Sequence, residues 1–365
     1  MKNKIKVNLD QRSYDIVIGA NSIEYLNEFL AQKNYSKIFI ITDENVAKLH
    51  LAKLEEVLEK TKITTEIVVT PSGEQTKSFQ SLEKICEEIL EKNADRKSLI
   101  IAFGGGVIGD LSGFIASILL RGIDFVQIPT TLLASVDSSV GGKTAINSRA
   151  GKNLVGSFYQ PQLVICDLNF LKTLPIRELR SGYAEVVKYG LIQDRNFFDF
   201  LVENANKIFA LDEEILTKII TKSCQSKADI VSQDEKENGC RALLNFGHTF
   251  GHIFETETNY SSEVLHGEAV ALGMLMAAKM SLNFGMINDS DFVQIKSHLE
   301  DCNFIIDPKK IRAIWDEKNL IKHLYKDKKT EGGNLTFILL EKIGSAVIKK
   351  SVALADFEKV LKEFL

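Results

Sequence analysis

Three of the six histidines fall within nineteen residues, and their spacing predicts a metal site. His248 and His252 are four positions apart, which places both imidazoles on one face of a helix, and His266 follows closely. Two histidines with one carboxylate leave an open coordination position that suits Zn²⁺ acting as a Lewis acid, with Co²⁺ and other divalent ions as alternatives. The segment lacks the glutamate of an HExxH motif, which disfavours a metalloprotease.

Glu185 is the best carboxylate candidate for this site. It lies in the otherwise apolar helical stretch 181–190, where an unpaired acid would be costly. A buried salt bridge to Lys188 is the competing interpretation. Residue spacing also leaves open whether His248 or His252 is the ligand.

A glycine-rich turn indicates a second site. Gly104-Gly105-Gly106 follows an apolar run and opens a helix pattern, so the backbone could approach a pyrophosphate at a helix amino terminus. The pattern is neither a Walker loop nor a strict GxGxxG, and a simple tight turn is the alternative. Asp43 and the segment 72–77 end two other predicted strands at the same sheet edge, which favours a dinucleotide site.

Several cationic residues lie beside glycine or within amphipathic helices: Lys143, Lys152, Lys188, Lys227 and Arg241. Most lysines of an acidic protein are simply solvated. If these side chains converge, they would bind a phosphate and a carboxylate, because Arg suits bidentate oxyanion recognition and Lys supplies a compact charge.

The first half of the chain alternates between strand and helix patterns. Strands are predicted from the alternation in the first 19 residues and at Lys37–Thr42, Thr64–Thr70, Ser98–Phe103, Ile123–Ile128 and Leu163–Cys166. Helices are predicted from about Asn45 to Lys60 and from Ser78 to Lys92. Short apolar strands separated by helices indicate a parallel sheet covered on both faces.

From about Leu168 the patterns become mainly helical. Helices are predicted at Ala184–Leu201, Glu213–Val231 and Glu268–Asn283, and a late hairpin at Leu335–Leu340 and Ala346–Val352. The predicted fold is therefore α/β plus α, with a parallel-sheet, dinucleotide-binding domain at 1–167 that carries the glycine turn and a mainly helical, metal-binding domain at 168–365 that carries the histidines. Ligands in such proteins favour the carboxyl ends of the strands and the cleft between domains.

Composition excludes several classes of protein. The 365 residues are 45% apolar, and the formal net charge of −4 is spread along the chain, so a nucleic-acid partner is not expected. No stretch approaches the roughly 18 uninterrupted apolar residues of a membrane span, and the first residues do not resemble a signal peptide. Five scattered cysteines disfavour disulfides and a cysteine zinc site and suit the cytoplasm.

The motifs together resemble 3-dehydroquinate synthase, a family of the sugar phosphate cyclases. They run in the family's order from about residue 72 to 274: GEQTK, GGGVIGD, IPTTLLASVDSSVGGKTAIN, GKNLVGSF, RELRSGYAEVVKYG, RALLNFGHTFGH and LHGEAVALGM. The resemblance implies a cytoplasmic, dimeric enzyme of the shikimate pathway that acts on 3-deoxy-D-arabino-heptulosonate 7-phosphate. In the family, NAD⁺ transiently oxidises a ring hydroxyl, phosphate leaves by β-elimination, the hydride returns, the ring opens, and an aldol reaction closes 3-dehydroquinate.

The resemblance also implies roles for residues. Glu185, His248 and His266 match the metal ligands, whereas His252 matches a histidine that serves in proton transfer. Substrate-binding positions are matched by Lys152, Asn153, Lys188, Lys227, Arg241 and Asn245, by Arg121 reaching into a neighbouring subunit, and by Lys328 within 325–329. NAD-contacting positions are matched by Asp43, Ser72, Gly73, Glu74, Gln75, Thr76, Lys77, Gly105, Gly106, Val107, Ile108, Gly109, Asp110, Thr130, Thr131, Asp137, Lys143, Lys152, Phe170, Leu171, Lys172 and Thr173.

Three other functions compete with this interpretation. An NAD- and metal-dependent polyol dehydrogenase would need the metal and the glycine turn but fewer cations around its substrate. Another sugar phosphate cyclase, acting on glucose 6-phosphate or sedoheptulose 7-phosphate, would keep most of the motifs. A non-catalytic NAD-binding regulator would leave the metal residues without a purpose.

Overall fold

The computed structural model describes residues 2–327 and 335–365, which form two compact units. Unit 1 comprises Met1–Pro175 and Leu211–Lys236, and unit 2 comprises Ile176–Ala210 and Glu237–Leu365. The units thus alternate along the chain, whereas the sequence-based division is a single cut after residue 167. That division remains a prediction.

The elements are numbered in chain order. The strands are β1 (Asn3–Val7), β2 (Tyr14–Gly19), β3 (Lys37–Asp43), β4 (Thr64–Thr70), β5 (Leu99–Gly104), β6 (Asp124–Pro129), β7 (Lys143–Ser148), β8 (Gly151–Phe158), β9 (Leu163–Asp167), β10 (Leu335–Lys342) and β11 (Ser345–Val352). The helices are α1 (Tyr25–Ala31), α2 (Glu44–Glu59), α3 (Phe79–Glu91), α4 (Gly106–Ile118), α5 (Ile176–Gln193), α6 (Arg195–Phe209), α7 (Glu213–Gln233), α8 (His248–Glu257), α9 (His266–Asn283), α10 (Asp289–Asp301), α11 (Glu317–Asp327) and α12 (Leu354–Phe364).

Unit 1 is built on a seven-stranded sheet of order β1-β2-β9-β6-β5-β3-β4 in the described part of the chain. The strands from β2 to β4 in this order pair in parallel, and only β1 is antiparallel to its neighbour. Their carboxyl ends therefore lie at one edge of the sheet, as the α/β prediction required.

The two faces of this sheet bury different helices. Ile38 and Ile40 of β3 pack in one cluster with Leu54 and Val57 of α2. The alternate residues of the same strand, including Phe39, pack in a second cluster with α3 and α4. The helices that follow β3 and β5 thus cover opposite faces, and the crevice between the carboxyl ends of these two strands is a topological switch point, where ligands of α/β proteins bind.

Unit 2 is mainly helical and contains the antiparallel hairpin of β10 and β11, which confirms the predicted late hairpin. Its helices approach very closely at glycines. A Cβ on Gly267 of α9 would lie 1.8 Å from the backbone oxygen of Ser181 in α5. A Cβ on Gly273 would lie 2.1 Å from the backbone oxygen of Gly247, which precedes α8. Any side chain at these positions would push the helices apart.

The structure departs from the sequence-based expectations about elements in two places. The single helix predicted at Ala184–Leu201 is broken, because the side chain of Asp194 accepts a hydrogen bond from Phe197 N and starts α6 as an N-cap. The hairpin of β7 and β8 was not predicted, since the segments that form it were considered only for their cations and glycines.

The described residues contain neither a disulfide nor a helix that could span a membrane. All five cysteines have free thiols, in agreement with the prediction that disulfides do not form. Among the helices of residues 2–327 and 335–365, none combines the length and apolar character that crossing a membrane requires.

The buried imidazole of His298 in α10 makes the stability of unit 2 depend on pH. Its Nε2 lies 3.0 Å from the Tyr183 hydroxyl, and burial lowers its pKa to about 4. Between pH 6.5 and 4, the unfolded chain therefore binds a proton that the folded chain does not, and stability falls as the pH falls. From pH 6.5 to 5 this contribution amounts to roughly 2 kcal/mol of unfolding free energy.

We expect His298→Gln to remove this part of the pH dependence. Urea unfolding followed by the fluorescence of Trp315, the chain's one tryptophan, reports on unit 2 directly. Equal pH slopes for the variant and the parent chain between pH 6.5 and 5 would contradict the assignment.

Candidate metal centre and nucleotide-binding edge

Unit 2 brings the three predicted metal ligands together. Glu185 lies within α5, and His248 and His266 are the first residues of α8 and α9. One ligand atom from each residue lies within 4.8 Å of the other two. Glu185 Oε1 is 3.6 Å from His248 Nε2 and 3.5 Å from His266 Nε2, so both imidazoles face the same carboxylate oxygen.

The second ring nitrogen of each histidine is engaged elsewhere. His248 Nδ1 lies 3.3 Å from the backbone oxygen of Phe246, and His266 Nδ1 lies 3.2 Å and 3.3 Å from the two carboxylate oxygens of Glu255. With the proton on Nδ1, each Nε2 presents its lone pair toward Glu185. This is the arrangement found for metal-binding histidines, so the residues fit a divalent ion.

Burial and charge act differently on the two imidazoles. Burial lowers the pKa of His248 to about 3, although the Glu185 carboxylate opposes it. Burial also lowers the pKa of His266, but the carboxylates of Glu255 and Glu185 outweigh that effect and raise it to about 10. His248 is therefore held in the neutral form that a metal ligand needs, whereas His266 is protonated without a metal and must release its Nε2 proton when a divalent ion binds.

The ion pair that competed with the metal interpretation is also present. Lys188 Nζ contacts Glu185 Oε2, and both side chains are buried, at 2% and 0% exposure. The two histidines face the other oxygen, Oε1. The carboxylate can therefore serve Lys188 and a metal at the same time.

His252 stands next to this cluster. Its ring centroid is 5.4 Å from that of His248, and its Nε2 is 4.0 Å from Glu255 Oε2. With 34% of its side chain exposed, it is more accessible than either His248 or His266. A partly exposed imidazole beside a carboxylate suits proton transfer.

The predicted NAD residues lie at the carboxyl edge of the unit 1 sheet. Asp43 ends β3, where its side chain caps α2 by accepting hydrogen bonds from Asn45 N and Val46 N at 2.9 and 3.1 Å. The segment 72–77 follows β4. Gly105 and Gly106 link β5 to α4, whose first turns hold Val107, Ile108, Gly109 and Asp110. Thr130 and Thr131 follow β6, and Phe170, Leu171, Lys172 and Thr173 follow β9.

Lys77 organises part of this edge. It is 3% exposed, and its Nζ donates to Asp110 Oδ2 at 2.6 Å and to Asn153 Oδ1. The carboxylate of Glu74 bridges two lysines, since its Oε1 lies 3.7 Å from Lys77 Nζ and its Oε2 lies 3.7 Å from Lys152 Nζ. The predicted nucleotide residues and the predicted substrate pair Lys152 and Asn153 therefore share one network of charges.

Asn147 of β7 connects this network. Its Nδ2 donates to Glu74 Oε1 at 2.8 Å, and its Oδ1 accepts from Asn153 N at 2.9 Å. Residue patterns did not single out Asn147, because the hairpin that carries it was not foreseen. Glu255 was also missed, although a glutamate three residues after His252 in an apolar helix was a usable signal.

The remaining predicted residues have defined positions within their units. Lys227 Nζ in unit 1 donates to the backbone oxygen and Oδ1 of Asp137, at 2.7 and 2.9 Å. Lys143 begins β7, and Arg121 has a left-handed backbone with φ of 69°. In unit 2, Arg241 is 1% exposed, and Asn245 Nδ2 donates to Glu237 Oε1 at 2.8 Å. Lys328 lies outside the described residues.

Comparison with known proteins decides the family. A family model described as 3-dehydroquinate synthase N-terminal matches residues 67–181, and one described as 3-dehydroquinate synthase C-terminal matches residues 182–330. The chain belongs to the 3-dehydroquinate synthase family. It is 48% identical to the 3-dehydroquinate synthase of Bartonella quintana (strain Toulouse), over 98% of each chain.

Two solved structures of sugar phosphate cyclases have the same fold as this chain. A 2-deoxy-scyllo-inosose synthase complexed with carbaglucose-6-phosphate, NAD⁺ and Co²⁺ is 26% identical over 100% of both chains, with a TM-score of 0.90. ValA, a 2-epi-5-epi-valiolone synthase from Streptomyces hygroscopicus subsp. jinggangensis with NAD⁺ and Zn²⁺ bound, is 25% identical over 98% of both chains, with a TM-score of 0.87.

Removing the Glu185 carboxylate tests the metal interpretation. We expect Glu185→Gln to weaken Zn²⁺ or Co²⁺ binding, measured by chelator competition, by more than the roughly 10–100-fold that changes in the hydrogen-bond partners of ligands cost. Lys188→Met is the matched control, since it breaks the same ion pair but keeps the carboxylate. An equal loss of affinity in both variants would mean that the carboxylate acts only through the ion pair, and parental affinity in Glu185→Gln would exclude Glu185 as a ligand.

Proposed function

We propose that this chain is a 3-dehydroquinate synthase, which converts 3-deoxy-D-arabino-heptulosonate 7-phosphate into 3-dehydroquinate and phosphate. The observation that carries the proposal is the convergence of Glu185, His248 and His266 in a chain 48% identical to a 3-dehydroquinate synthase over nearly its full length. A non-catalytic NAD-binding regulator gives no reason for that cluster.

The two cofactors would be a divalent metal, Zn²⁺ or Co²⁺, and NAD⁺. When bound, a metal at Glu185, His248 and His266 would polarise the hydroxyl being oxidised, and NAD⁺ at the carboxyl edge of the unit 1 sheet would take and return its hydride. Two structural neighbours, which were solved with NAD⁺ and either Co²⁺ or Zn²⁺ bound, support this choice.

The chain's cations would bind the anionic groups of the substrate. Lys152, Lys227 and Arg241 would hold phosphate and carboxylate oxygens, assisted by Asn153 and Asn245. Arg241 has a planar donor set suited to a carboxylate, and its burial limits competition from water. Lys227 is already oriented by two hydrogen bonds to Asp137, so little side-chain entropy remains to be lost on binding.

His252 would transfer a proton between the substrate and the solvent-accessible side of the site. It is accessible, it is close to the metal ligand His248, and Glu255 lies 4.0 Å from its Nε2. The substrate's own phosphate could accept the proton of the eliminated C–H, in which case the lysines position that phosphate and His252 serves the later steps.

We further propose a cytoplasmic homodimer, in which Arg121 contributes to the neighbouring subunit's site and Lys328 completes the phosphate site. The left-handed backbone at Arg121 supports a specific role, because such a conformation costs energy in a residue with a side chain.

A direct assay tests the reaction. Purified protein with NAD⁺ and Zn²⁺ or Co²⁺ should release phosphate from the heptulosonate phosphate without net formation of NADH, because the hydride returns within each turnover. Lasting NADH accumulation with a polyol such as glycerol would instead identify a dehydrogenase.

The same assay separates the sugar phosphate cyclases. Glucose 6-phosphate and sedoheptulose 7-phosphate serve as matched substrates that lack the carboxylate. We expect phosphate release from neither at a rate near that with the heptulosonate phosphate. Equal or faster release from one of them would replace the proposed substrate.

Asn147 is expected to matter for cofactor binding through Glu74 and Asn153. Asn147→Ala leaves the partly buried Glu74 Oε1 and the exposed Asn153 N without this partner, at a cost of about 1.5 kcal/mol. We expect the Kd for NAD⁺, measured by calorimetry, to rise about tenfold. Asn3→Ala is the control, since it removes one side-chain hydrogen bond, to Thr221, in the edge strand β1 of the same unit. Equal NAD⁺ affinity in both variants would rule out this role for Asn147.

A further inference from the structure

Glu255 of α8 is a buried acid that does not belong to the predicted metal ligands or substrate-binding residues. Its side chain is 5% exposed, so keeping it ionised requires nearby hydrogen-bond donors or positive charge. Both carboxylate oxygens lie within 3.3 Å of His266 Nδ1, and one lies 4.0 Å from His252 Nε2. The carboxylate therefore faces the imidazole that begins α9, on the side opposite to Glu185.

We propose that Glu255 is a positioning residue for His266, an inference that rests on the proposed metal centre. By accepting the Nδ1 hydrogen of His266, Glu255 selects the tautomer in which Nε2 carries the lone pair. It also fixes the ring plane so that Nε2 points to Glu185 Oε1, 3.5 Å away. Outer carboxylates of this kind hold a histidine ligand in place and increase its basicity.

The backbone of His266 is fixed by other contacts, which isolates the task of Glu255. Arg177 of α5 forms a bidentate pair with Glu268 at 2.7 Å and donates to the backbone oxygens of Ser262 and Glu263. Ser181 Oγ accepts a hydrogen bond from Gly267 N at 3.0 Å. These bonds anchor the start of α9, but they do not orient the imidazole. Rotation of the ring about its side-chain bonds is limited by Glu255.

The same helix offers a matched comparison. Glu257, two residues beyond Glu255, also pairs with an imidazole, because its Oε2 lies 2.8 Å from His323 Nε2. His323 does not belong to the metal-compatible group found in the described residues. Glu257→Gln therefore weakens a carboxylate–imidazole pair on α8 without touching a ligand of the proposed metal.

The test is Co²⁺ binding by the full chain, measured by chelator competition and by visible absorption of the bound ion. We expect Glu255→Gln, which preserves size but not charge, to weaken Co²⁺ binding about 10–100-fold. Glu255→Ala should weaken it at least as much, and Glu257→Gln and His252→Asn should bind within about twofold of the parent chain. The absorption bands of Co²⁺ bound to Glu255→Gln should keep their number and intensity, because the ligands are unchanged.

Three results would overturn the proposal. Parental Co²⁺ affinity in both Glu255 variants would show that His266 needs no support. An equal loss in Glu257→Gln would assign the effect to the stability of α8. A change of band intensity that indicates a different coordination number would make Glu255 a ligand itself. Phosphate release by the parent chain decides the proposed reaction separately, since the Co²⁺ affinities can be compared whether or not turnover occurs.

Discussion

The carboxylate of Glu185 is completely removed from solvent, and unit 2 is arranged around it. A carboxylate in a dry interior is strongly unfavourable unless positive charge and hydrogen-bond donors surround it. Lys188 contacts one oxygen, and the imidazoles of His248 and His266 face the other. A divalent ion bound by Glu185 and the two histidines would supply positive charge to the same buried carboxylate. The ion that the proposed reaction needs would therefore also stabilise the folded state.

The distances between the three candidate metal ligands depend on how closely the helices that carry them approach one another. Glu185 is carried by α5, His248 by α8 and His266 by α9, so no single element can bring the ligands together. Gly267 allows α9 to lie against the backbone of α5, and Gly273 allows α9 to lie against the backbone at the start of α8. Since both histidines are first residues of their helices, a small shift of either helix would move an imidazole away from the carboxylate.

Unit 1 gathers its polar groups by a different principle. Its parallel strands end at one edge, so the loops that follow β3, β4, β5, β6 and β9 are neighbours by topology. The hairpin of β7 and β8 then adds Lys152 and Asn153 to this edge through Asn147 and Lys77. The sheet supplies the general location, and the hairpin joins the predicted nucleotide and substrate residues into one network.

The sequence by itself determined most of the elements and the residue types of both sites. Apolar periodicity is a local property, and it correctly predicted the parallel strands, α2, α3, α7, α9 and the late hairpin. The histidine spacing and the glycine turn likewise pointed to a metal and a nucleotide. The family motifs then assigned His248 rather than His252 as a ligand, an assignment consistent with the ligand atoms that converge in unit 2.

Only the tertiary structure decided which side chains support these residues. Glu255 meets His266 across two helices, and Asn147 meets Glu74 across 73 residues of sequence. Such contacts depend on how elements pack, and periodicity along the chain carries no information about the partner that a side chain meets in space.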